Sequence, residues 1–381
     1  MEKHHNNFDL IRLIAAMQVA YVHLLRDLRL PTFAAVDWLA VMFPGVAVFF
    51  VISGYLVTKS FTEGGNAVWP YVLKRALRIY PGLWINFILI LPLVYWAGAL
   101  SPADVLSWKF LIFQIGQFIF GEEAYGRVFA GPIYHWGQFY PAYPNPASWT
   151  IPVELGFYVL VPLTLGALAG RRRAVANGLL LCMIAVSLAL AVLSAHWLAV
   201  APHSLATGAL GNGPLPYFWM FLLGAGAYLN WDRLRSWFEG RLAAWFAVYF
   251  LVQALCVVGF DRPDVDFIHI TALAVLKVVL LAGVVLAFAH SYKGLASILR
   301  GNDFSYGLYL YHMPLFWTLM GFGLVQRAYL WPVCFGGAFA LAALSWFLIE
   351  RRCLRLKPSS TRKLPEAPAA TAAAAAAAPP V

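Results

Sequence analysis

The sequence predicts an all-α membrane protein, a bundle of about ten helices that crosses the bilayer with both termini in the cytoplasm. Three observations carry this. Of 381 residues, 62% are hydrophobic and only 12% charged, whereas a water-soluble domain carries roughly twice that charged fraction. The apolar residues gather in runs of about 20, the length a helix needs to cross the hydrocarbon core. Basic residues crowd the loops of one side. A soluble globule is excluded, and the net charge of +10 calls for no nucleic acid, because Lys- and Arg-rich loops orient membrane helices without a polyanionic partner.

Spanning runs fall at about 8–26, 38–60, 79–99, 149–169, 174–199, 214–230, 241–260, 268–290, 304–324 and 329–350. The first holds Arg12 and His23 and lacks a small-residue cleavage site, so it reads as a retained helix rather than a signal peptide. Turn-forming stretches separate the others: Glu63-Gly64-Gly65-Asn66 after the second run, Pro141 to Pro146 before the fourth, and Gly211-Asn212-Gly213-Pro214 before the sixth. The longest connection runs from Ser101 to Ser148, and its apolar piece, Phe110 to Phe120, is too short to span. Residues 1–357 form the membrane domain, and 358–381 are expected to be a disordered Pro/Ala-rich cytoplasmic tail.

Charge counting tests the layout. With the N-terminus inside, nineteen of the 27 Lys and Arg residues lie on the cytoplasmic side and six on the other, the asymmetry expected of a plasma (inner) membrane protein with ten helices. Cys182, Cys256, Cys334 and Cys353 show no metal-ligand spacing, so no metal site is expected. The absence of a visible internal repeat weighs against a repeat-built transporter.

Ionisable groups at membrane depth are costly and need a partner or a task. Arg12 and His23 are eleven residues apart, which at ~100° per residue returns to within about 20° of the same direction. They share one face, roughly 16 Å apart along the axis. A histidine suits proton transfer near neutral pH; the alternative is a helix-end histidine hydrogen-bonded within the bundle. Arg75 and Arg78, three residues apart, suit either the phosphates of a cytoplasmic donor or the headgroups of membrane lipid. His312 stands beside Tyr311 and before Pro314, which frees a backbone carbonyl that either side chain can satisfy.

These residues fall within five ordered motifs. Phe8-Asp9-Leu10-Ile11-Arg12-Leu13-Ile14-Ala15-Ala16, followed by His23, resembles the opening of the integral-membrane acyltransferase 3 family. Phe43 to Leu56, which includes Ser53-Gly54-Tyr55-Leu56, is similar to its second helix, and Arg75-Ala76-Leu77-Arg78-Ile79-Tyr80-Pro81 to the start of its third. Trp149-Thr150-Ile151-Pro152-Val153-Glu154 with Phe157-Tyr158 resembles its fourth-helix segment, and Ser305-Tyr306-Gly307-Leu308-Tyr309-Leu310-Tyr311-His312-Met313-Pro314 its ninth. Leu155 stands where many members carry a second glutamate.

The resemblance implies transfer of an acyl group, most often acetyl from acetyl-CoA, to a hydroxyl of a carbohydrate or glycolipid. Acyl-CoA is then a co-substrate, with no bound cofactor. His23 is the implied general base and Glu154 the group that orients it or pairs with a buried cation. Arg75 and Arg78 take the donor. Arg12 contacts the donor, stabilises an oxyanion, or holds a carboxylate such as Asp9. Ser53, Trp149, Tyr311 and His312 support the site. The competing reading is a transporter that moves an acyl donor or glycan without chemistry. Trp136, Tyr140 and Tyr143 form a candidate sugar-stacking platform. The acceptor, the acyl chain and the oligomeric state are not legible in the sequence.

Overall fold

The computed structural model describes residues 6–135, 137, 139–140, 142–201, 211, 213–260, 271–292 and 294–357, apart from the side chains of 27–28, 129, 257–260 and 296. The 358–381 tail, Trp136, His203 and His269 therefore lie outside the described residues. The helices are α1 (Phe8–His23), α2 (Ala34–Met42), α3 (Gly45–Glu63), α4 (Val68–Trp96), α5 (Pro102–Val105), α6 (Trp108–Phe120), α7 (Glu123–Ala130) and α8 (Thr150–Leu168). They continue with α9 (Arg173–Val200), α10 (Phe218–Leu229), α11 (Trp231–Phe238), α12 (Leu242–Phe260), α13 (Ala272–His290), α14 (Ser305–Gly321), α15 (Leu330–Ser345) and α16 (Arg351–Leu354). Among the described residues there is no strand.

A helix occupies each of the ten apolar runs, and seven are long and apolar enough to cross a membrane. The other three, Leu215–Leu229, Leu242–Cys256 and the 17-residue α14, are helical but shorter in their described parts or less apolar. Two boundaries differ from expectation for physical reasons. The second run breaks at Phe43 and Pro44, because Pro44 cannot donate to a helix continuing from α2. Gln18 bridges the break, donating to the Ala40 carbonyl (2.6 Å) and accepting the Gly45 N–H (2.7 Å). The third helix begins at Val68 rather than 79, with Pro70 tolerated in its first turn. Its 29 residues extend roughly 44 Å against a hydrocarbon core of about 30 Å. Lys74, Arg75 and Arg78 ride on the overhang.

Connectivity defines two ends. The near end holds the start of α1, the end of α3, the start of α4, the end of α13 and the start of α14. Asn7 ties it together by donating to the carbonyls of Phe288 (3.1 Å) and Ser291 (2.7 Å). α1 packs between α3 and α14, while α14 also packs on α4 and α15. Pro314 removes the N–H that the Leu310 carbonyl needs; Asn145 supplies a replacement at 3.1 Å, a task the sequence pointed toward His312 or Tyr311. His312 instead bonds the Leu308 carbonyl through Nδ1 (3.1 Å).

The tightest helix pair is α3 with α10. A Cβ on Gly54 would stand 1.9 Å from the Phe221 carbonyl oxygen, and one on Gly224 2.0 Å from that of Val51. Apart from dispersion there is little to drive helices together in lipid, so small residues that permit backbone contact do the work. Gly224→Ala is expected to part the two helices and cost ~1–3 kcal/mol, the usual range for overpacking. A lowered unfolding temperature of the detergent-purified protein checks this.

Candidate active site

The site begins at a carboxylate in the turn before α14. Asp303 accepts from the Arg78 guanidinium at 2.6 Å and lies 3.6 Å from that of Arg12. It also accepts from the backbone N–H of Ser305 at 3.1 Å and from the Ser305 hydroxyl. Burial opposes its ionisation, yet the guanidiniums of Arg78 and Arg12 and the two Ser305 donors outweigh that cost and hold the carboxyl down at about 2. One acidic group thus joins α1, α4 and α14. The sequence offered Asp9 as the carboxylate for Arg12; the ion pair is made with Asp303, at the opposite end of the chain.

Above this triad lies a cavity of about 60 Å³ lined by Arg12, Ser53, Arg78, Glu154, Ser305, Tyr306 and Tyr309, with apolar side chains of α3, α4 and α8 between them. Glu154 reaches it from the first turns of α8. Its Oε1 accepts from the Tyr158 hydroxyl (2.5 Å) and from Ser53 (3.3 Å). Glu154 therefore stands with the arginines, and its hydrogen bonds run to Ser53 and Tyr158 rather than to the His23 ring. Arg75 and Arg78 diverge to different neighbours. Arg75 donates to Ser60 Oγ (3.2 Å) and lies over the Tyr158 ring at 5.7 Å, whereas Arg78 lies over Tyr306 at the same distance.

The cavity ends at Tyr309, whose hydroxyl meets Thr150 Oγ1 (2.6 Å) and donates to the Ala147 carbonyl (2.7 Å). Beyond it stands a histidine pair. The Tyr309 ring is 6.0 Å from His312, and His312 is 5.4 Å from His23. From Asp303 to His312 is nine residues, roughly 14 Å of rise, which matches the Arg12–His23 separation on α1. The shared face read from the sequence thus lies along α14. Arg26, on the π-helical turn Leu24–Leu28, approaches His23 Nδ1 at 3.0 Å. Arginine can only donate, so Nδ1 accepts and a neutral His23 carries its proton on Nε2. A carbonyl can only accept, so the neutral His312 ring has the opposite tautomer.

The supporting residues are placed as follows. Tyr311 donates to the Gly82 carbonyl (3.2 Å) and to Ser345 Oγ (3.1 Å), and Ser345 donates to Glu350 (2.7 Å). Trp149 is half-buried against Tyr217, ring centroids 5.3 Å apart. Tyr140 and Tyr143 are buried with their hydroxyls on Thr318 and Gln117, so they serve packing rather than an open sugar platform. No cluster that could hold a metal ion occurs among the described residues.

Asp303, Tyr158, Tyr309 and Lys357 were not foreseen. A charge-balance argument could have found the first, since two arginines near membrane depth need an acid and Asp303 stands beside a helix-starting Ser305. Lys357 follows α16, which packs on α4. Burial first, then the charges of Arg78, Arg75, Arg12 and Lys74, push its ammonium down to about 8.

A multi-helix membrane chain with a buried charged cavity that leads to a histidine pair has the form of an integral-membrane group-transfer enzyme. The chain belongs to the acyltransferase 3 family, whose acyltransferase-domain model matches residues 5–350, and it is an O-acyltransferase. It is 34% identical over 360 residues to Nodulation protein 10 of Rhizobium leguminosarum bv. viciae, covering 93% of this chain and 95% of that protein. An O-acetyl transferase of Shigella phage Sf6 is 30% identical over 155 residues, 41% of this chain and 44% of that protein. No solved structure matches. Family membership sets aside the reading of a carrier without chemistry.

Removing the shared carboxylate leaves two guanidiniums without a counterion. Asp303→Asn is expected to cost roughly 3–5 kcal/mol, as breaking a buried pair does, seen as a lowered unfolding temperature. An acid whose carboxyl is depressed in the folded state stabilises fully above its ordinary value near 3.9 and ceases to as pH falls through the folded value. Wild-type stability should therefore lose a component between about pH 4 and pH 2 that Asp303→Asn lacks.

Proposed function

We propose that the protein transfers an acyl group, most simply acetyl from acetyl-CoA, to a hydroxyl of a carbohydrate or glycolipid at the plasma membrane. In this reading the near end is cytoplasmic, and the cations there take the donor. The observation that carries it is the continuous polar line from Arg78 and Arg12, past the cavity and Tyr309, to the His312–His23 pair. A thioester donor has a polyanionic end and a small reactive end, and this line provides a cationic mouth followed by a cavity of about 60 Å³.

The chemistry then follows from the side chains. His23 removes the proton of the acceptor hydroxyl as its oxygen attacks the thioester carbonyl. The tetrahedral oxyanion needs donors, and the Arg12 guanidinium borders the cavity with N–H groups beyond the one facing Asp303. Collapse expels the CoA thiolate, which recovers the proton from the imidazolium, so the enzyme returns to its starting state. Glu154 holds Tyr158 and Ser53 in place beside Arg75 instead of orienting the base. Arg26 occupies the lone pair of His23 Nδ1 and must swing aside for that nitrogen to act; its exposed position permits this. His312 keeps the His23 ring in register by ring contact.

His23→Gln should lower transfer by about 10²–10⁴-fold, the usual contribution of a positioned general base. The measurement is label transfer from acetyl-CoA to glycan fractions by the purified protein, with mass spectrometry of surface glycans from expressing cells. Unchanged turnover in the variant would remove His23 from the reaction.

A further inference from the structure

A second cavity, of about 270 Å³, opens at the near end between α3 and α4 and is lined by Leu56, Lys59, Ser60, Glu63, Gly64 and Lys74. We infer that it is a phosphomonoester site that takes the 3′-phosphate of the donor's nucleotide, with the Lys59 and Lys74 ammoniums as its charges. The inference rests on the acyl-CoA reading above and adds to it a place for one particular group of the donor.

Charge and connection argue for this. The single carboxylate in the cavity, Glu63, lies 3.9 Å from Lys59, with both side chains more than a third exposed, and such a surface pair contributes little and is readily shared. Lys74 makes no ion pair in the structure among the described residues. Arg75 stands behind the lining residue Ser60. It donates to Ser60 Oγ at 3.2 Å, which leaves its positive charge just beyond the cavity's lining. The same guanidinium lies over Tyr158, which bonds Glu154 at the edge of the inner cavity. Arg75 thus connects the two cavities through side chains, Ser60 lining the outer one and Tyr158 holding Glu154 of the inner one.

The rim also holds more positive charge than its own acids balance. Lys357 feels the same field: burial first, then the charges of Arg78, Arg75, Arg12 and Lys74, push its ammonium down. An added dianion would offset that repulsion. Lysine suits the task, since its ammonium meets a phosphomonoester as a compact point charge without the planar fork that a diester edge favours. The overhang of α4 raises Lys74 about one turn above Arg78, so the two cationic levels face different parts of one long ligand.

The test is equilibrium dialysis of labelled acetyl-CoA and of 3′-dephospho-acetyl-CoA against full-length protein in nanodiscs, which needs no acceptor. The wild type should bind acetyl-CoA at least about tenfold more tightly than the dephospho form. Lys59→Met with Lys74→Met should erase that ratio, each thioester binding as the dephospho form binds the wild type. Glu63→Gln, which takes away the competing carboxylate, should tighten acetyl-CoA alone, by up to about fivefold. Equal affinities in the wild type, or a ratio preserved in the double variant, would overturn the site while leaving the acyl-CoA reading intact. Failure of the wild type to bind either thioester would overturn both. Nanodiscs with and without anionic lipid separate the remaining source of phosphate: if the double variant responds only to lipid composition, the cavity holds a headgroup and the inference fails.

Discussion

Two buried arginines held side by side need something to answer their charge, and here one carboxylate answers both. Asp303 stands between Arg78 of α4 and Arg12 of α1 while its own helix, α14, starts two residues later. The three elements that surround the cavity are thereby fastened at one level. The Ser305 hydroxyl and N–H complete the shell, so the acid is satisfied in a place where an unsatisfied one would be untenable. Arg12 and Arg78 both also line the cavity, where Glu154 faces them from α8.

The rest of the bundle is organised around that fixed level. α8 begins deep enough for Thr150 to meet Tyr309, only one turn into α14. α3 brings Ser53 to Glu154 because its neighbour α10 lies in backbone contact behind it, through Gly54 and Gly224. The proline of α14 costs a backbone hydrogen bond that Asn145, in the long connection before α8, makes good. Irregular backbone at membrane depth persists only where such replacements exist.

Periodicity made some of this legible. The eleven-residue spacing of Arg12 and His23 correctly put both on one face, and that face meets α14. The motif order also picked out Ser53 and Glu154, which share a hydrogen bond across 101 residues. What pattern cannot encode is which distant group completes a charge. Asp303 looks in sequence like a solvated loop acid, and its partner Arg12 lies near the other terminus. Lys357 likewise looks like the last anchor before a polar tail. The start of α4 was misplaced because a charged amphipathic turn that overhangs the membrane does not resemble the apolar helix it continues. Glu154 was read as orienting the histidine or pairing with a buried cation, and its hydrogen bonds run to Ser53 and Tyr158, because the depth of a helix start depends on how far its preceding loop dips, which no hydropathy trace reports.

The plug made by Tyr309 and Thr150 has an electrical consequence. Any membrane protein with a polar path through its bundle risks becoming an ion leak and dissipating the transmembrane voltage. The void of about 60 Å³ ends at the Tyr309–Thr150 hydroxyl pair, which also lines it. A hydroxyl pair rather than open space thus stands between the cavity and the His312–His23 rings.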